Sequence, residues 1–165
     1  MTTPSLASIL PPEMKTLSLA PLFIFQIEVK APSVIGTTPG YDRRIGEIAG
    51  GRFEGERLRG EFLTGGSDWQ SLRADGATTI NVRLVMKTDD NELIAMRYFG
   101  MRHGRQEVMD RLARGDKVNP SEYYMRVTAY FETASHKYGW MNRILAAGYG
   151  HRMTGGAIYN MFEIL

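Results

Sequence analysis

The chain of 165 residues contains no cysteine. That absence excludes a disulfide framework, a thiolate metal site, an iron–sulfur cluster and a cysteine nucleophile. A dominant charge is also lacking: 20 Lys and Arg stand against 18 Asp and Glu, with no long block of one sign. No nucleic-acid partner is therefore expected. Apolar runs fall well short of the ~18–20 residues that span a bilayer, so no membrane partner is expected either. The opening MTTPSLASILPPEMK has no positive segment ahead of an apolar one, and a cytoplasmic location is the expectation. The three histidines, His103, His136 and His151, form no HxH, HxxxH or HExxH pair, so no metal is expected. Neither G-x-S-x-G nor a P-loop occurs. The glycine-rich GYGHRMTGG precedes a strand pattern rather than a helix, which argues against phosphate cradling. No cofactor is expected, and no repeat at a fixed period is visible.

What is present is a chain that is 43% hydrophobic and 23% charged, enough for a sizeable core in one domain. Residues 1–15, with Pro4, Pro11 and Pro12, show no period and read as a flexible arm. Residues 16–165 read as a single domain. Thr16–Lys30 alternates as a long strand, and Pro21 within it argues for an edge or a bulge. Residues 31–42 read as a turn-rich loop. Arg43–Phe62 reads as two short strands around the Gly50-Gly51 pair, and Leu63–Gly76 as a long loop carrying Trp69. Ala77–Thr88 and Leu93–Gly100 form a hairpin. Arg105–Arg114 has the helical period, with Val108, Met109 and Leu112 on one face and Gly115 as its stop. Tyr123–Glu132, Met141–Tyr149 and Ala157–Leu165 complete the strands. Strands do not alternate with helices, which disfavours a doubly wound α/β fold. The expected fold is all-β: a closed antiparallel barrel of about eight strands with one short helix, a β-sandwich being the alternative.

Four stretches carry a resemblance: LAPLFIFQIEV, RRIGEIAGGRFEGERLRGEFLTGGSDWQSLRADG, LIAMRYFGMRHG and YYMRVTAYFETASHKYGWMNRILAAGYG. Together they resemble the uncharacterised family known as domain of unknown function 3237, from about Leu19 to Leu165. The resemblance implies an eight-stranded barrel of about this length and supplies no agreed reaction or cofactor. Arg102–Glu122 looks like an elaboration found in only some relatives.

Polar residues on the mixed strand faces include Glu28, Arg44, Glu54, Asn81, Arg83, Tyr124, Arg126, Glu132 and Glu163. Pointing inward, such carboxylates, arginines and tyrosines suit a small polar-aromatic ligand; pointing outward, they are an ordinary solvated face. In GGSDWQSLRADG, Asp75 is the first candidate base, on the argument that a carboxylate against Trp69 is desolvated and rises toward neutrality. Asp68 is the reserve, with Glu54 or Glu132 for a deeper site. Both aspartates equally suit turn-forming roles. Arg44 and Arg126 are candidates to hold an enolate or carboxylate, and Tyr124 or Tyr138 to donate to an oxyanion. Trp69 and Trp140 would form flat walls, with Asn142 and Arg143 beside them. The expected site is one end of the barrel, where Gly65–Gly76 meets Tyr138–Arg143.

These residues suit a small-molecule enzyme using metal-free acid–base chemistry, of isomerase, cyclase or lyase type, on an aromatic or enolisable substrate. A non-catalytic ligand-binding barrel and a structural oligomeric protein are the alternatives. The arm and the aromatic residues further suggest a homo-oligomer, most simply a dimer.

Overall fold

The computed structural model describes Thr3 and residues 5–165; Met1, Thr2 and Pro4 of the expected arm lie outside the described residues. The rest of that arm holds a helical turn, α1 (Leu6–Ile9), capped by the Ser5 side chain, and a 3-10 turn at Pro12–Met14, and neither buries a residue. Ten antiparallel strands follow: β1 (Leu19–Val29), β2 (Ser33–Thr37), β3 (Asp42–Glu54), β4 (Arg59–Phe62), β5 (Ser67–Leu72), β6 (Thr78–Thr88), β7 (Leu93–Gly104), β8 (Tyr123–Glu132), β9 (Ala146–Met153) and β10 (Gly156–Ile164). Helix α2 (Gln106–Arg114) lies between β7 and β8 and ends at Gly115, whose positive φ lets its N–H reach back to Arg111 and Leu112.

The strands close into a barrel. β1 pairs with β10, and β10, β9, β8, β7 and β6 follow in order; β6 pairs with both β4 and β5, which pair with β3, and β3 returns to β1. β4 and β5 lie along the same stretch between β3 and β6 and act as one broken stave. β2 continues the line of β1 along β3 and pairs with β3 alone. The barrel therefore has eight staves with two extra strands, as the alternation of β1, β6 and β8 implies. No helix among the described residues is long and apolar enough to cross a membrane.

Four segments differ from the sequence reading. Ser33–Thr37, inside the expected loop 31–42, is a strand, and so is Ser67–Leu72, inside the expected loop 63–76. Met141–Tyr149 is split: Gly139–Arg143 is a 3-10 helix, and β9 runs from Ala146 through most of the glycine-rich segment to Met153. Gly50-Gly51 is not a hairpin turn but a bend inside β3, where the register against β1 shifts. Gly51 has φ 148°, and a Cβ there would lie 2.2 Å from the Gln26 carbonyl oxygen. Only glycine allows the two strands to meet so closely. At Pro21 the β1–β10 register also shifts. This bulge buries both Leu22 and Phe23 and leaves Leu19 half exposed.

Strand directions define two ends. The β6–β7 turn and the Tyr138–Arg143 segment lie at one end; the β5–β6 and β9–β10 turns and α2 lie at the other. The first end is filled by Phe23, Phe25, Phe53, Phe62, Tyr98 and Phe131, all buried, with ring centroids 5.3–6.0 Å apart in tilted and edge-on pairs. The second end is hollow.

Candidate functional site

The inward row of each strand changes character along its length. On β7 it reads Ile94, Met96, Tyr98, Gly100, Arg102, apolar up to the glycine and charged after it. On β9 Ala146, Gly148 and Gly150 precede Arg152, and the two glycines let Met161 and Val127, and Tyr159 and Met125, pack directly against the wall. On β3 the inward set contains Arg44 and Gly46, and on β5 Asp68, Gln70 and Leu72. These side chains line a cavity of about 550 Å3 at the hollow end, within the range of small-molecule sites. Ile27, Ile80, Met125 and Tyr159 supply its apolar walls, and Gln106, Met109 and Asp110 of α2 line its mouth. Val108 and Leu112 anchor the helix, since both are buried in the core.

Among the described residues Asp68 is the one carboxylate buried within the barrel, 6% exposed. Gln70 Nε2 donates to its Oδ2 at 2.6 Å, while Oδ1 is buried without a partner. Burial pushes the carboxyl up to about 6, opposed by the Gln70 hydrogen bond and by the charges of Arg102 and Arg152. Such a group exchanges a proton near neutral pH. The Tyr98 and Tyr159 phenols are held above their ordinary range, first by burial and then by neighbouring groups that include Asp68. Their rings lie 5.5 Å apart, Tyr159 is stacked on Phe25 at 4.7 Å, and the Tyr98 hydroxyl has no partner. Both therefore stay protonated near neutral pH.

Three arginines share this space. Arg44, Arg102 and Arg152 are partly buried, and among the described residues none of them forms an ion pair. Arg44 Nε is buried and unpartnered. Burial, and then the facing charge of Arg152, lower the pKa of Arg102. Between them stands Tyr123, whose hydroxyl accepts the Arg152 backbone N–H at 2.8 Å and lies 2.8 Å from His151 Nδ1. No group of three His, Asp or Glu side chains suited to a metal ion occurs among the described residues.

The residues singled out from the sequence are spread over the molecule. Asp68 and Arg44 line the cavity. Asp75 does not: it sits in the β5–β6 turn, bonded to Arg73 at 2.5 Å and accepting the Ala77 N–H at 3.1 Å. Its carboxyl is held below the ordinary value, first by the Ala77 N–H, the reverse of the expected rise. Trp69 cannot desolvate it, since β5 turns Trp69 outward, 46% exposed and beside Arg43. Tyr124 and Arg126 face outward from β8, where the Arg126 guanidinium lies 3.4 Å over the Tyr149 ring. Glu54, Glu132, Glu28 and Arg83 are exposed on outer faces. Asn81 shares the outer side of β6, and Glu163 pairs with Arg57.

Tyr138, Trp140, Asn142 and Arg143 belong to the filled end, so they do not meet the 65–76 segment. Tyr138 is buried and donates to Asp90 at 3.0 Å; Trp140 lies under the Arg57 guanidinium at 3.7 Å. Asn142 clamps the Thr133 backbone through both its N–H and its carbonyl, at 2.8 and 2.9 Å, and Arg143 is exposed. Arg102, Arg152 and Tyr159 were not singled out from the sequence. Tyr159 lies on the inward row of the expected last strand, and continuing the inward rows of β7 and β9 past Gly100 and Gly150 reaches Arg102 and Arg152.

The family described as Protein of unknown function (DUF3237) matches residues 17–164. A UPF0311 protein of Rhodopseudomonas palustris is 30% identical over 123 residues, covering 74% of this chain and 80% of that protein. One from Clostridium acetobutylicum is 29% identical over 152 residues, covering 92% and 96%. The crystal structure of a beta-barrel like protein from Acinetobacter baumannii is similar with a TM-score of 0.81 at 37% identity, over 95% of this chain and 99% of that one. The crystal structure of an enzyme from Penicillium herquei shares the fold, with a TM-score of 0.69 at 17% identity over 90% and 95% of the two chains. On the match that runs almost from end to end of the barrel, this chain belongs to the DUF3237 family.

Proposed function

We propose that the protein is an enzyme that moves protons on a small organic molecule, with Asp68 as the acid–base group. The observation that carries this reading is a carboxylate buried in the barrel, raised to about 6, with one oxygen free of partners beside a polar cavity. Asp68 takes a proton from a C–H or O–H next to a carbonyl or phenol. The developing oxyanion is stabilised by a neighbouring guanidinium or by the Tyr159 hydroxyl, groups already in place before the reaction. The proton on Asp68 then returns to another atom of the same molecule, giving isomerisation or ring closure without net gain or loss. A simple carrier would be expected to have a larger, more apolar lining with few ionisable groups, and the Asp–Arg lining favours catalysis.

The test needs no knowledge of the product. Enolisable ketones, oxo acids and phenols are incubated in deuterium oxide, and exchange of carbon-bound hydrogen is followed by NMR. The wild type is expected to catalyse exchange on part of this panel, with a rate that rises as pH passes through about 6, and Asp68→Asn to lose it. Equal exchange by wild type and Asp68→Asn, or none by the wild type, overturns the reading.

A further inference from the structure

We propose that the cavity takes an organic anion, its carboxylate held between Arg102 and Arg152 and its apolar body against Ile27, Ile80 and Met125. The proposal deepens the acid–base reading by naming the substrate class, and rests on it for the placing of Asp68 as the reacting group.

Charge accounting within the cavity leads to it. Two of the cations at its edge are already neutralised, Lys30 by Glu47 at 2.7 Å and Arg73 by Asp75 at 2.5 Å. Arg44, Arg102 and Arg152 are left, against the carboxylates of Asp68 and Asp110. Asp110 is occupied by Gln106 Nε2 at 2.8 Å on α2. Neither carboxylate forms an ion pair with any of the three arginines. An unpaired charge withdrawn from water is costly unless something compensates it. Here Arg102 and Arg152 repel each other and are offset only in part by Asp68, and an anion placed between them relieves that repulsion.

The register sets their spacing. Arg102 on β7 pairs with Met125 on β8, and the β8–β9 register of Arg126 with Tyr149 carries on toward Arg152. The two arginines thus stand on the strands flanking β8, both turned inward. A guanidinium presents a planar fork of donors that matches the two oxygens of a carboxylate. Ile27, Ile80 and Met125 line the same cavity without polar groups and suit a hydrocarbon or aromatic body. A bare inorganic anion would leave that apolar wall uncovered.

Isothermal calorimetry on the full chain compares acids with their neutral amides of equal shape: phenylacetate with phenylacetamide, and cyclohexanecarboxylate with cyclohexanecarboxamide. Acetate and inorganic phosphate serve as anions lacking the body. The acids are expected to bind at least about tenfold tighter than the amides, and tighter than acetate or phosphate. Arg102→Gln and Arg152→Gln are each expected to lose about tenfold or more for the acids, while Arg126→Gln on the outer face changes nothing. Arg102→Lys, which keeps the charge but not the fork, guards against a variant that fails to fold and is expected to fall between wild type and Arg102→Gln.

Equal binding of acid and amide, insensitivity to both cavity variants, or no binding by either acid overturns the proposal. Phosphate binding as tight as the acids also overturns it, as a site for an adventitious ion only. Asp68→Asn separates the two readings: it is expected to keep the preference for acids. A preserved preference without any proton exchange in the wild type defeats the catalytic reading and leaves this one standing. Exchange on neutral ketones with no preference for acids does the opposite.

Discussion

At one end of the barrel, β1, β3, β4 and β8 turn phenylalanines inward: Phe23, Phe25, Phe53, Phe62 and Phe131. At the other, β3, β5, β7 and β9 turn inward Arg44, Asp68, Arg102 and Arg152. Three strands make the change visible within a single inward row: β3 from Arg44 to Phe53, β7 from Arg102 to Ile94, and β10 from Tyr159, which meets both regions, to Met161. The filled end supplies stability, because its aromatic area is removed from water and its rings interlock. The hollow end gives up stability, because it holds charges away from full solvation and polar atoms without partners. The closely packed aromatic end offsets that cost.

Substitutions that act on one end alone break or sharpen that contrast. The largest effect is expected at the filled end. Phe25→Ala removes a ring that touches Phe23, Phe62, Tyr98 and Tyr159 and is 1% exposed. It should cost about 3–5 kcal/mol in urea unfolding; a loss below about 1 kcal/mol would mean that the cluster can collapse onto the gap.

Asp68→Asn is expected to act in the opposite direction. The folded carboxyl, at about 6, lies above its unfolded value of 3.8. Native protein then binds the proton more tightly, so stability is fully present below about 4 and is lost as pH rises through about 6. Removing the charge should stabilise the protein by about 2–3 kcal/mol at pH 8 and leave it unchanged at pH 4. Parallel urea midpoints for wild type and variant across that interval would contradict the assignment.

A smaller effect is expected at the filled end's outer turn. Asp90 is bonded to Lys137 and Thr88 at 2.5 Å and to Tyr138 at 3.0 Å, and Lys137 and Thr88 hold its carboxyl down to about 2. Its folded value lies below the unfolded one, so its contribution is present above about 4 and is lost as pH falls toward 2. Asp90→Asn should lower the thermal midpoint at pH 7 slightly and flatten its fall between pH 4 and 2. Asp75→Asn should be the mildest of all: an exposed turn residue outside the cavity, it is expected to leave deuterium exchange as in the wild type.

Legibility of the fold followed apolar alternation. β6 and β8 were readable because every second residue is apolar and inward, and α2 because Val108 and Leu112 share a face ahead of Gly115. β5 is not, for a reason tied to the cavity. Its inward residues include Asp68 and Gln70 while Trp69 points to solvent, so the hydrophobic pattern is inverted where the strand meets the cavity. β2 is a short strand on an edge, exposed along almost its whole length. The same inversion hides the site: Asp75 and Trp69 are close in sequence, but strand geometry sends Trp69 out and leaves Asp75 in a turn. Strand direction was also needed to separate Tyr138–Arg143 from the cavity.

Closure of the ring between β1 and β10 has a kinetic consequence. The register joins Leu19 to Ile164, near the two extremes of the domain, and β1 must also find β3. β6 to β9 form from neighbours in sequence, whereas the seam at β1 waits for nearly all of the domain to be made and brought together. Topologies dominated by such distant pairings fold on a scale of about milliseconds to seconds. Ile27 and Ala157, which face each other across that seam, are both part of the cavity lining. The cavity is therefore expected among the last features to form during folding, and a chain stalled before closure carries every residue that lines it without enclosing it.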